Sequence, residues 1–166
     1  LFLDIFEVGL IKHHQYVIGN RTQKTPDGVD SIDLEVQIFV MSNVTRFGAT
    51  GDGKTDDTEA IQHTLADGDG VLHFPPGMYR ITKPIEIKLA ERGPLGIDGT
   101  GGTAKIVMAG KGPAFRLIGT HGGTGDPGSR KGNVATHQRL PTIRNIEVEG
   151  AHAEADGFEL IETMQS

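Results

Sequence analysis

Cysteine and tryptophan are absent from this 166-residue sequence, and aromatics are scarce, with two tyrosines and seven phenylalanines. The lack of cysteine rules out disulfides and leaves the compartment open. No apolar stretch reaches the roughly 18 residues that a membrane-crossing helix needs, so no span is expected. The opening "LFLDIFEVGLIKHHQYVIGN" starts without Met and carries Asp4 and Glu7 inside its apolar run. It lacks the basic start and uninterrupted apolar centre of a signal peptide. Positive charge is also in deficit: 16 Lys and Arg stand against 22 Asp and Glu, for a net charge of −6. That balance argues against a nucleic-acid partner, and it suits a polyanionic substrate only where basic residues are gathered locally.

Glycine, in contrast, is abundant. Its 24 residues follow no collagen period and suit a fold made of many turns. They are dense in "NVTRFGATGDGKTDDTEAIQ", residues 43–62. Within it, Gly48 to Thr55 matches the phosphate-loop pattern Gly-x-x-x-x-Gly-Lys-Thr letter for letter. Asp52 would lie inside the phosphate cradle, Asp56 and Asp57 would crowd the same anion, and no apolar strand leads in, so nucleotide binding is not expected. The same aspartates lack the alternate spacing and terminal glutamate of a helix-loop-helix calcium site. The stretch reads instead as turns leading into a capped helix. Thr55 or Asp56 serves as N-cap, Glu59 follows Asp56 by three as in a capping box, and Ala60, Ile61, Thr64 and Leu65 form an apolar stripe. "DGDG" at 67–70 ends that helix.

Beyond it come short strand-like runs bounded by glycine, proline or aspartate. They are 70–82 with a Pro-Pro-Gly turn inside, then 84–89, 104–109, 114–119, 142–150 and 157–162. In "TIRNIEVEGAHAEADGFELIE", Ile146 and Val148 alternate with Glu147 and Glu149, and Phe158 and Leu160 flank Glu159, giving one apolar and one charged face. Periodicity alone leaves a solenoid, a sandwich or a barrel open.

"FGATGDGKTDDTEAIQ" followed by "GVLHFPPGMYRITKPIEI" resembles the N-terminal signature of the pectate lyase superfamily, and more narrowly its rhamnogalacturonase and epimerase-like group. The resemblance rests on Phe47, Gly48, Ala49, Gly51, Asp52, Gly53, Asp56, Asp57, Thr58, Ala60, Ile61, Phe74, Pro75, Gly77 and Tyr79. It is firm over residues 43–118, with a looser echo at 142–162. It implies an all-β fold, a right-handed single-stranded parallel β-helix, of which this chain would supply the N-terminal capping helix and two or three first rungs and would be incomplete. Residues 43–166 would form that part, and residues 1–42 an N-terminal extension of uncertain membership, with 31–40 alternating like an edge strand.

The resemblance further implies a carbohydrate-active protein, secreted or at the cell surface, with polysaccharide as partner and acidic polysaccharide as substrate. Lyase, epimerase and glycoside hydrolase all stay open, with the catalytic rungs largely outside this chain. The alternatives are a structural or adhesive β-helix, such as a phage tailspike or surface protein with a homotrimeric assembly, and a non-catalytic carbohydrate-binding piece. No organic cofactor is expected; Ca2+ is one the resemblance allows. The polygalacturonase-type motifs (Asn-Thr-Asp, a substrate-facing Asp-Asp pair, Arg-Ile-Lys) have no match in place, since Asp56-Asp57 falls on the capping helix.

Candidate chemistry gathers in two places. The glycine-rich insertion 120–139 holds His121, Asp126, Arg130, Lys131, His137 and Arg139. Lyase or epimerase chemistry at a uronate C5 needs a base such as His121 or Lys131 and a cation beside the carboxylate, for which Asp126 is the candidate metal ligand. The bland alternative is a solvated loop whose basic residues keep it soluble. Glu147 and Glu149 share a strand face about 6.5 Å apart, near the spacing of an inverting glycosidase pair.

Overall fold

The computed structural model describes residues 4–11, 14–24 and 30–40 as backbone, and residues 42–123, 126, 128 and 132–163 with their side chains. The chain divides into two compact units, residues 1–41 and 42–166. In the first, β1 (Asp4–Ile11), β2 (His14–Lys24) and β3 (Asp30–Val40) form an antiparallel sheet in the order β1-β2-β3. The alternating run 31–40 is thus an edge strand of that sheet.

The second unit is a parallel β-helix. After a 3-10 turn (Val44–Phe47), β4 (Asp52–Asp56) and the helix α1 (Thr58–Asp67), the chain winds through three rungs of three strands. The first rung is β5 (Val71–His73), β6 (Gly77–Ile81) and β7 (Ile85–Lys88). After the short helix α2 (Leu89–Arg92), the second is β8 (Gly96–Asp98), β9 (Ala104–Met108) and β10 (Gly112–Ile118). After the helical turn α3 (Val134–His137), the third is β11 (Thr142–Arg144), β12 (Ile146–Gly150) and β13 (Ala155–Ile161). Each rung gives one strand to each of three parallel sheets, β5-β8-β11, β4-β6-β9-β12 and β7-β10-β13.

Register follows from the period-two alternation, because a slip of one residue would turn every apolar side chain to water. Leu72, Ile97 and Ile143 stack on one wall. Tyr79, Ile106 and Val148 stack on the second, and Ile85, Phe115 and Phe158 on the third, where the Phe115 and Phe158 rings lie 5.5 Å apart and nearly parallel. Each fully buried side chain of this kind contributes about 2 kcal/mol of transfer free energy. The stretch 142–150, which reads as one strand, is split between two sheets by Asn145 at φ 56. Asn tolerates that left-handed conformation, so it turns a corner without glycine. Other corners require glycine. A Cβ at Gly99 would lie 2.1 Å from the carbonyl oxygen of Asn145, and one at Gly110 would lie 1.9 Å from that of Thr82, each on a neighbouring rung.

Helix α1 packs against the first rung with Thr58, Ile61, Thr64 and Leu65 buried, close to the expected stripe. Its cap differs from the expected one. The N-cap is Asp57, and neither Thr55 nor Asp56 occupies that position; Glu59 lies too early for a capping box. Asp57 makes no cap bond of its own. Its carboxylate, 1% exposed, turns back to accept from Thr50 N–H at 2.7 Å, Gly51 N–H at 3.1 Å and Thr50 Oγ1 at 3.2 Å. Asp56 does reach the helix start, accepting from Thr58 N–H at 3.1 Å and Thr58 Oγ1 at 2.5 Å, and it also ties down Thr82 Oγ1 at 2.5 Å.

Candidate functional site

The phosphate-loop resemblance of residues 48–55 dissolves in the geometry. Asp52 accepts from the N–H groups of Lys54 and Thr55, both at 2.8 Å, and Asp57 takes those of Thr50 and Gly51. The amides that would wrap a phosphate are held by the chain's own carboxylates. Those backbone hydrogen bonds hold the Asp52 carboxyl down to about 2. Burial, with the Asp57 charge second, pushes the nearby Tyr79 phenol up to about 12, and its hydroxyl donates to Pro75 O at 3.0 Å.

Outward-facing charges tie the rungs together on every wall. Lys105 of β9 donates to Glu147 at 2.8 Å and to Glu149 at 3.0 Å on β12, which raises its own pKa. The candidate carboxylate pair therefore shares one ammonium on an exposed strand face. Arg116 of β10 bridges Glu86 of β7 at 2.7 Å and Glu159 of β13. Asp98 of β8 accepts from Asn145 Nδ2 at 3.1 Å and Arg144 Nη2 at 2.9 Å, and the Asn145 bond, followed by Arg144, holds its carboxyl below the usual range.

The insertion between β10 and β11 is anchored at its base. Buried Gln138 accepts from Thr120 N–H at 2.8 Å and donates to Thr120 Oγ1 at 2.9 Å and Asn133 Oδ1 at 3.2 Å. His121 sits at that base, 6% exposed, with its backbone N–H donating to Glu162 O and its ring Nδ1 buried without a partner. Asp126 is exposed, accepts from Gly128 N–H at 2.8 Å and lies apart from His121 in sequence and burial. Lys131 and Arg130 lie outside the described residues. Among the described residues no three His, Asp or Glu side chains converge on one point. They do not fit a calcium ion, and no step here runs through one.

A groove of about 860 Å3 opens elsewhere, between α1, β7, α2 and the outer face of β10. Its cations are Lys83, Lys88, Arg92 and Arg116, and its carboxylates are Glu86 and Glu91. Leu65, Ala66 and Pro84 give it an apolar side, with Gln62 at its edge. Sequence reasoning missed it. The signal is present in "KPIEIKLAERG", where cations recur at 83, 88 and 92. The run reads as a plain strand, however, while the chain in fact turns into α2 at Leu89 and brings Arg92 back beside the end of α1.

Against this geometry, the family described as Rhamnogalacturonase A/epimerase, pectate lyase-like matches residues 41–157, and the chain belongs to it. The chain is 34% identical over 84 residues to mannuronan C5-epimerase AlgE6 of Azotobacter vinelandii, covering 46% of this chain and 10% of that one. It is 30% identical over 142 residues to a glucan 1,3-beta-glucosidase of Cochliobolus carbonum, covering 74% and 17%. It thus spans under a fifth of either relative. Among solved structures, ORF18 of Geobacillus virus E2 superposes with a TM-score of 0.54 at 19% identity, over 88% of this chain and 29% of that one, a likeness of fold. Among the described residues no helix is long and apolar enough to cross a membrane.

Proposed function

We propose that this chain forms the capped end and first three rungs of an extracellular carbohydrate-active β-helix that acts on an acidic polysaccharide. The family match over residues 41–157 carries the reading, and the cation-rich groove on a chain of net charge −6 supports the acidic substrate. The chemistry is C5 proton abstraction beside a uronate carboxylate, completed by elimination or by reprotonation. It needs a base and a cation held together. Within the described residues Glu147 and Glu149 are engaged by Lys105, and His121 is enclosed, so the reading assigns the reacting groups to the wider protein. Relatives named for a neutral glucan define the competing substrate class.

The test incubates the native gene product with polygalacturonate, alginate and a β-1,3-glucan. Unsaturated uronate absorbance reports elimination, proton NMR of alginate reports epimerisation, and new reducing ends without that absorbance report hydrolysis. Elimination or epimerisation of a uronate polymer is expected; hydrolysis alone, turnover confined to the neutral glucan, or none on any polymer would overturn the reading.

A further inference from the structure

We propose that the groove between α1 and α2 holds a carboxylated oligosaccharide, whose carboxylates meet Lys83 and Arg92; this rests on the reading of the chain as part of a uronate-active protein. The groove's volume, about 860 Å3, falls within the span of small-ligand sites. Its charges separate into compensated and uncompensated ones. Glu86 is taken by Arg116, and Glu91 faces Lys88 at 3.4 Å. Among the described residues no carboxylate pairs with Lys83 or Arg92, so two positive charges face the groove on an acidic chain.

Arg92 is also held in place. Its Nη2 donates at 2.7 Å to the carbonyl of Gly68, the residue that ends α1. A carbonyl at a helix C-terminus lacks an intrahelical partner and carries the negative end of the dipole, so the guanidinium is anchored there without losing its charge. Lys83 is exposed on the strand side and free to reach. The rest of the lining narrows the ligand class. Leu65, Ala66 and Pro84 offer a surface for the C–H faces of sugar rings, and Gln62 with Glu86 and Glu91 offers partners for hydroxyls. The groove lining has no aromatic side chain to stack a base, which disfavours single-stranded nucleic acid.

The experiment titrates the full 166-residue chain with trigalacturonate by calorimetry, with maltotriose and an oligothymidylate as controls. Trigalacturonate binds and neither control does. Lys83→Gln weakens binding about tenfold, the worth of one charge-assisted contact, without moving the melting temperature, because the side chain is exposed and unpartnered. Arg92→Lys, which keeps the charge but loses the planar fork, weakens it as well. Binding that Lys83→Gln leaves undiminished places the ligand elsewhere and overturns the groove while the polysaccharide reading stands. Equal binding of oligothymidylate reduces the groove to charge alone and overturns the proposal. Absence of trigalacturonate binding overturns it too, and the turnover assay then decides separately whether the broader reading survives.

Discussion

The second rung and the third have the same alternation of side chains but different fates. Ile97, Ile106 and Leu117 of the second rung lie between neighbours on both sides and are fully buried. Their register partners on the third, Ile143, Val148 and Leu160, have described neighbours on one side, and Leu160 is 44% exposed. Burial in a solenoid is therefore set by stacking: each rung's pattern prepares an interior that only the next rung completes.

The phenylalanine pair on the β7-β10-β13 wall tests this most severely, since both residues are the same and their rings stack. Phe115→Ala should cost about 3–5 kcal/mol in urea unfolding, the range for a large aromatic lost from a closed core. Phe158→Ala, where the side chain is only partly buried, should cost less than half as much. Equal costs would mean the third rung is as sealed as the second. At the opposite, capped end the seal is partly polar. Asp57→Ala leaves the Thr50 and Gly51 amides without their partner and should cost about 2–3 kcal/mol, whereas a mere surface carboxylate would cost next to nothing. Asp56→Ala should remove about 1 kcal/mol, as for a lost helix-start bond.

Acid should loosen the capped end, and with it the Asp98 tie to the third rung. The folded-state pKa values of Asp52 and Asp56 lie below the ordinary carboxylate value, that of Asp52 near 2. Their contribution is complete above the unfolded pKa near 4 and is lost as pH falls through the folded values. Stability measured by thermal unfolding should therefore be level above pH ~5 and decline between pH ~4 and ~2, and Asp52→Asn should flatten part of that decline. The smallest effect belongs to the charged ties between rungs. Lys105→Gln should shift the melting temperature only slightly, and added salt should erase the difference from wild type, because exposed pairs are screened. A large, salt-resistant loss would show that charge, rather than stacking, holds the third rung.

Much of the architecture was legible in the residues themselves. The lead-in at 43–62, the Pro-Pro-Gly turn and the alternation of Ile146 and Val148 with glutamates are local signals, and each lies where its pattern indicated. The cap was misread because Asp57 spends its side chain on the preceding turn, a choice made by burial that spacing does not reveal. Residues 142–150 read as one strand when the alternation of Ile146 and Val148 is extended back over Asn145, although the step of three from Ile143 to Ile146 marks the corner that Asn145 turns. The groove stayed hidden for a different reason: 83–93 reads as a plain strand, while the turn into α2 at Leu89 and the winding of the first rung bring Arg92 back beside Gln62 and α1. His121 and Asp126, adjacent in the sequence argument, differ in burial because only one lies at the anchored base of its insertion.

The corner glycines carry a consequence for descent. Between like strands, the chain can spend seven residues, 89–95, or the much longer 119–141, and still re-enter the sheet in register. Gly99 and Gly110 allow no such latitude, since any side chain there would strike the backbone of an adjoining rung. Lineages carrying this unit are thus expected to diverge in outline, by insertions that decorate the walls, while the pitch of the coil is passed on unchanged.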